Sequence, residues 1–517
     1  MKRIICVAAL IVSAFYASAQ MAYRTITASV NRVAGKKQSS YMECIGAGRA
    51  NEGLRADWQH QLAMVQKDMH FKYLRFHGLL NDDMNVFSLI NGKPAYNWQY
   101  IDKLYDYMLS VHIRPIVELG FMPSAMASGT KTVFWWRGNV TKPKDYAQWD
   151  TFIAKLVEHF QDRYGKAEVN QWYFEVWNEP NLSGFFDGTQ AEYFELYDHT
   201  ARAIKSVSSS YRVGGPATAG VAWVPDFLNF CKKNNTPVDF VSTHDYSTKS
   251  FLDEFGKSKQ KLKANSDTIA SDVRDVAKQI KSSPYPNLEF HLTEWNTSPS
   301  SRDQIHDTYQ NASYVLHILK KSAPNVTSMS YWTFTDVFEE AGPAVTPFHG
   351  GFGLVNLQNI KKPTYYAFKY VSELGNTELK NTDGESIICK QGQNVQALVW
   401  DFTFPGADYT FDQDYFIKEQ PPVGKKTVQL NLKDLANGTY TVQLYKTGYK
   451  ANDPSTQYIA WGRPDYINPK QVSKLQALSS GKPIKTETIT VKNGSYQTHL
   501  EVRSNDIYFV KLNFKHS

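Results

Sequence analysis

Eight successive pairings of an apolar run with an amphipathic one, polar side chains gathered where the apolar runs end, and a change of texture near residue 375 predict an α/β chain. The expected architecture is a (β/α)8 TIM barrel with an appended antiparallel β-sandwich. The 517 residues leave room for a large barrel and a smaller module. The boundaries read as a signal peptide at 1–19, an N-terminal strand at 20–36 joining the sandwich, the barrel at 37–375 and the sandwich at 376–517.

Lys2 and Arg3 precede the apolar run at 4–15, and Ala17-Ser18-Ala19 supplies small residues before Gln20. This reads as a cleaved secretory leader, so the protein is expected to be secreted or periplasmic. Cys6 falls inside the leader. Cys44, Cys231 and Cys389 remain, an odd number in separate elements, and are expected as buried small hydrophobes without a disulfide framework. Ile26, Ala28 and Val30 then alternate with polar residues, as a half-buried strand does.

The barrel strands are expected at 41–46, 73–76, 113–119, 173–182, 211–214, 238–243, 288–294 and 329–334. Helices follow at 59–69, 98–108, 146–160, 193–207, 226–231, within a long loop-and-helix region at 249–281, around 314–320 and at 364–371. In the third, Trp149, Phe152, Ile153, Leu156 and Phe160 recur at three- and four-residue spacing, which turns one face toward a sheet. Past Leu374 the runs become short and alternating, as in Val428-Gln429-Leu430-Asn431-Leu432, with Asn437-Gly438 and Asn493-Gly494 as turns.

The formal charge of +7 includes Lys2 and Arg3 and is spread thinly, so no nucleic-acid partner is expected. The Lys-rich stretch 257–263 reads as a solvated helix face or loop. No run after the leader approaches the length of a membrane span.

Two apolar runs end alike, one in Trp177-Asn178-Glu179-Pro180 and the other in Thr293-Glu294-Trp295-Asn296. Arg75, His77, Glu118, His244, Tyr246 and Trp332 stand at other predicted strand ends, the active rim of a barrel. Cleaving a glycosidic bond needs a proton for the leaving oxygen and a carboxylate facing the charge that grows at the anomeric carbon. Glu179 is expected as acid/base, its pKa raised by partial burial and by a second carboxylate, with Glu294 as nucleophile. Asn178 would hold a sugar hydroxyl, and His77, His244 and Tyr246 would contact substrate or orient the carboxylates. Trp332 would stack on a sugar, with Glu339 and Glu340 accepting from hydroxyls. No metal or cofactor is expected. Asn and Pro also favour a capped turn, but that accounts for neither Glu294 nor the rim.

The set Arg75-Phe76-His77-Gly78, Glu118-Leu119-Gly120-Phe121-Met122-Pro123, Trp177-Asn178-Glu179-Pro180-Asn181, Thr293-Glu294-Trp295-Asn296 and Tyr331-Trp332-Thr333-Phe334-Thr335-Asp336 resembles the β-xylosidases of glycoside hydrolase family 39. The likeness continues through Phe348-His349-Gly350-Gly351 to Trp461-Gly462-Arg463-Pro464 and so covers nearly all of the chain after the leader. It implies a retaining exo-enzyme with Glu179 as acid/base, Glu294 as nucleophile, and His77, Asn178, His244, Tyr246, Trp332 and Glu340 around the terminal sugar. Asp245 stands where the family carries a small residue and Trp295 where it carries Tyr, departures that bear on leaving-group selectivity.

Other readings keep the scaffold and change the rim: an α-L-arabinopyranosidase, a uronidase or an endo-glycanase. A non-catalytic glycan-binding protein would normally lose one glutamate, and both are present. A uronate needs a buried cation, whereas Asp336, Glu339 and Glu340 suit neutral hydroxyls. Xylo-oligosaccharides cut from the non-reducing end are therefore the expected substrate.

Overall fold

The computed structural model describes residues 23–252, 258–263, 265–403 and 413–515. The leader at 1–19, with Cys6, lies outside the described residues. Eight parallel strands close a barrel in chain order: Cys44–Arg49, Tyr73–His77, Arg114–Glu118, Tyr173–Glu175, Arg212–Thr218, Phe240–Tyr246, Glu289–Asn296 and Ser328–Tyr331, the last pairing back to the first through Tyr331 and Ile45. These are the eight strands expected, with shifted ends. The fourth stops at Glu175, so Asn178 and Glu179 lie in the loop beyond it. The sixth runs on to Tyr246, which puts His244 and Tyr246 on one face of the strand and Asp245 on the other.

The helices pack around the barrel for the reason their spacing implies. The third, Tyr146–Tyr164, starts where the Asp145 carboxylate accepts from the amides of Ala147 and Gln148, and it ends at Gly165, whose φ is +83°. It buries Trp149, Phe152, Ile153, Leu156 and Phe160, each worth about 1.5–3 kcal/mol of apolar transfer. Mutating one of these would cost more than breaking any exposed ion pair on the opposite face.

Beside the barrel, seven strands form one sheet and three another, one strand of each coming from before the barrel and the rest from after it. Two findings differ from the expected antiparallel sandwich. Arg24–Ser29 enters the three-stranded sheet parallel to Lys426–Lys433, and Val33–Lys36 pairs with Thr377–Leu379 in the other, so the N-terminal segment contributes to both sheets. Two helices, Pro454–Ala460 and Pro469–Leu478, are also inserted there. Their Pro residues sit in the first turn, where a missing N–H costs nothing.

One further expectation is corrected. Within the Lys-rich stretch, Ser258–Leu262 is a strand paired antiparallel with Thr248–Leu252 rather than a helix face or open loop, because a partner strand satisfies its backbone. Cys44, Cys231 and Cys389 are buried and unpaired by disulfide. The last barrel helix, Pro363–Ser372, meets the seven-stranded sheet through Tyr370 stacked on Phe509, ring centroids 5.1 Å apart. Barrel and sandwich thus share a continuous apolar core that includes Ile387, Leu398, Trp400 and Phe509.

Candidate active site

Strand ends converge on Arg75, whose side chain is fully buried. Its Nε donates to Glu175 Oε2 at 2.5 Å, Nη1 to Glu294 Oε1 at 2.7 Å and Nη2 to Asn178 Oδ1 at 2.9 Å, while Glu118 Oε2 lies 2.9 Å from Nη2. One guanidinium therefore ties together the carboxyl ends of four strands. Burial alone would raise the Glu175 carboxyl, but Arg75 beside it holds the pKa below the usual range. Glu118 is less well compensated, and burial pushes it up to about 8.

Glu294 is gripped on both oxygens. Arg75 holds Oε1, and the Tyr246 hydroxyl donates to Oε2 at 2.7 Å. Burial drives the Tyr246 hydroxyl well above its ordinary pKa, so it stays a donor. His77 Nε2 and His244 Nδ1 approach Glu294 Oε1 at 3.4 and 3.7 Å.

Glu179 faces this group from a sharply bent loop. Trp177 and Glu179 have φ of +72° and +46°, the left-handed region that side chains disfavour, and the Glu179 amide is tied to the Ala217 carbonyl at 2.8 Å. Backbone strain of this kind concentrates at working sites. Glu179 Oε1 lies 3.0 Å from His244 Nδ1. Burial pushes the Glu179 carboxyl up to about 7, with His77 and Arg75 pulling the other way. The rise expected for this carboxyl is thus present, and it comes from desolvation rather than from a neighbouring carboxylate.

Burial also lowers both imidazoles to about 4, so His77 and His244 are neutral and able to donate or accept. His77 Nδ1 lies 2.5 Å from Glu118 Oε2, and its Nε2 lies 3.5 Å from Glu340 Oε1. The Trp332 ring packs 4.7 Å from that of His77. Burial and then the charge of Glu294 drive the Glu340 carboxyl well above its ordinary range.

The fold therefore brings together Glu179, Glu294, His77, Asn178, His244, Tyr246, Trp332 and Glu340. Glu339 is engaged elsewhere: Arg49 Nη2 and Arg55 Nη1 reach its carboxylate at 3.1 and 2.8 Å, and its amide donates to Glu52 Oε1 at 2.9 Å. Asp245, on the opposite face of its strand from Tyr246, lies 3.5 Å from Lys263 Nζ. Glu175 was missed in the sequence, although a carboxylate within an otherwise apolar strand was the signal for it.

Single oxygens of Glu179 and Glu294 and a nitrogen of His244 lie within 4.8 Å of one another, close enough to serve a cation among the described residues. Arg75 already places a positive charge on Glu294, which a divalent ion would meet at short range. The donor set fits proton transfer and nucleophilic attack better than metal ligation.

A closed parallel barrel carrying two opposed glutamates at its carboxyl face, one kept protonated by burial and one fixed by a guanidinium and a phenol, defines a glycoside hydrolase. The family model described as Glycosyl hydrolases family 39 matches residues 24–497, and the chain belongs to that family. It is 37% identical over 494 residues to a beta-xylosidase of Caldicellulosiruptor saccharolyticus, covering 94% of this chain and 98% of that protein. It is 45% identical over 376 residues to a beta-xylosidase of Geobacillus stearothermophilus, covering 71% of this chain and 74% of that one. A crystal structure of a monomeric beta-xylosidase from Caulobacter crescentus CB15 superposes with a TM-score of 0.93 at 39% identity, covering 95% of this chain and 100% of that one.

Proposed function

We propose that the chain is a retaining exo-β-xylosidase releasing xylose from the non-reducing ends of xylo-oligosaccharides. The observation that carries the mechanism is the approach of the two carboxyl groups within 4.8 Å at their nearest oxygens, suited to the roughly 5–5.5 Å carboxyl separation of a retaining pair rather than the 6.5–9.5 Å that leaves room for an attacking water. Glu294 attacks the anomeric carbon as Glu179 passes its proton to the leaving oxygen, giving a glycosyl ester and the free alcohol. The charge on Glu294 is then gone, and Glu179, now ionised, takes a proton from water as that water cleaves the ester. Two inversions restore the starting configuration.

The choice of sugar rests on the relatives and on charge. Arg75 is saturated by carboxylates and Asn178, and Glu340 faces His77, so among the described residues of this cluster no unengaged cation waits for a uronate. A panel of aryl glycosides tests this directly. Highest kcat/KM is expected on the β-D-xyloside, with the α-L-arabinopyranoside slower; a faster α-L-iduronide or β-D-glucuronide would overturn the reading. The leader composition supports action outside the cytoplasm, which would leave a mature protein beginning at Gln20 by N-terminal sequencing.

A further inference from the structure

The loop after the third barrel strand holds a feature that the chemistry at Glu179 and Glu294 does not require. Of the twelve tryptophans in the chain, Trp135 is the one exposed among the described residues, at 57%. Its neighbours in sequence are anchored against the site. Phe134 stacks on His77 with ring centroids 5.9 Å apart and an interplanar angle of 24°, and it packs edge-on to Phe185 in the loop that follows Glu179. Trp136 lies under Arg49, whose Cζ is 5.4 Å from its ring centre. The Trp135 amide donates to the Glu340 carbonyl at 2.8 Å, so the backbone that carries the indole is tied to the loop of Glu340, and its neighbour Phe134 to the loop of the acid.

That position is held at a cost. Phe134 and Arg137 have φ of +63° and +58°, strained for residues with side chains, and they bracket the exposed ring. One edge of the indole rests on Gly342, where an added Cβ would come within 3.3 Å of Trp135 Cδ1. The ring is thus fixed in place while keeping a face in water. The other large exposed aromatics are Tyr23, just before the N-terminal strand, Tyr100 on the second helix and Tyr466 in the sandwich. An apolar face held rigidly at the rim of a polar sugar site matches the C–H face of a second pyranose.

We propose that Trp135 is the stacking platform for the sugar ring of the leaving group, the unit attached to the xylose being released. This rests on the exo-xylosidase reading. The terminal sugar is held by Arg75-organised polar groups, while the departing one binds by surface contact to a ring that does not depend on its hydroxyl pattern.

The test compares kcat/KM for xylobiose with kcat/KM for methyl β-D-xyloside, whose leaving group has no ring, in the wild type, Trp135→Ala and Trp135→Phe. Trp135→Ala should lose about tenfold on xylobiose, the equivalent of one aromatic contact, and change less than twofold on the methyl glycoside. Trp135→Phe should keep most of the xylobiose rate. Equal losses on both substrates would make Trp135 a mere loop support and overturn the proposal, as would no loss on either. If the wild type cleaves neither xyloside, it is the sugar assignment that has failed. The same pair of measurements, made on the disaccharide and methyl glycoside of the sugar it does cleave, then decides the role of Trp135.

Discussion

At the scale of single residues, the division of labour proposed for the two glutamates follows from what each touches. Glu294 is anchored by Arg75 and Tyr246 as the proposed nucleophile, so Glu294→Ala should be nearly inactive on every glycoside. Glu179 supplies a proton that a dinitrophenolate does not need. Glu179→Ala should therefore keep its first step on a dinitrophenyl xyloside, stall at the ester and regain turnover with azide; rescue by azide in Glu294→Ala with retained configuration would reverse the assignment. A general acid must be protonated to work, and Glu179 loses its proton at about pH 7 in the free enzyme. The kcat/KM for xylobiose should accordingly fall as pH rises through about 7, and with the dinitrophenyl substrate that limb should be much weaker. An unchanged limb on both substrates would assign the titration to another group. Both glutamates proposed as catalytic stood out in the chain because packing alone rarely puts a carboxylate at the end of a β-forming run, where burial penalises its charge. Glu339 and Glu340 could not be told apart that way, since adjacent residues on a loop point in different directions and only Arg49 and Arg55 decide which one is taken.

At the scale of elements, the loop following the eighth strand carries Trp332 and Glu340 and is fastened from below by Lys362. The ammonium of this fully buried residue lies 2.6 Å from Asp307 and 2.7 Å from Asp336, and it donates to the Gly351 carbonyl at 2.8 Å. Removing the cation would leave two carboxylates facing each other without compensation, a loss of about 3–5 kcal/mol. Lys362→Met should therefore unfold at distinctly lower urea, and the survivors should show a raised KM because Glu340 is no longer held; a midpoint equal to wild type would refute the role. None of this could be seen in the sequence. Lys362 opens a helix, Asp307 precedes another and Asp336 lies in a loop, and only barrel closure brings them together. The barrel helices, by contrast, were legible because their apolar spacing needs no distant partner. The pairing of Thr248–Leu252 with Ser258–Leu262 was not, since their polar composition carries no period.

At the scale of the whole molecule, gathering ionisable groups into the barrel mouth shapes how stability follows pH. Buried His77, His244 and His306 titrate at about 4 when folded against an ordinary 6.5, so the unfolded chain takes up protons first and stability falls with acidification below about 6.5. Glu52, Glu118 and Glu179 run oppositely, since burial holds their protons to about 8, 8 and 7 against an ordinary 4.5. Their contribution declines as pH rises from 4.5 toward 8, and above 6.5 the histidines no longer offset it. Calorimetry of the unliganded protein should show Tm dropping between pH 6.5 and 8, and a Tm that climbs across that interval would contradict the protonated carboxyls. The pairing of Arg24–Ser29 with Lys426–Lys433 has a different consequence, one of timing. Thr27 and Asn431 are 404 positions apart, so a ribosome adding about 5–20 residues per second leaves the first strand without its neighbour for tens of seconds. Through that interval the barrel can close while Arg24–Ser29 hangs free, and it is a strand made after the whole barrel that gathers this segment in.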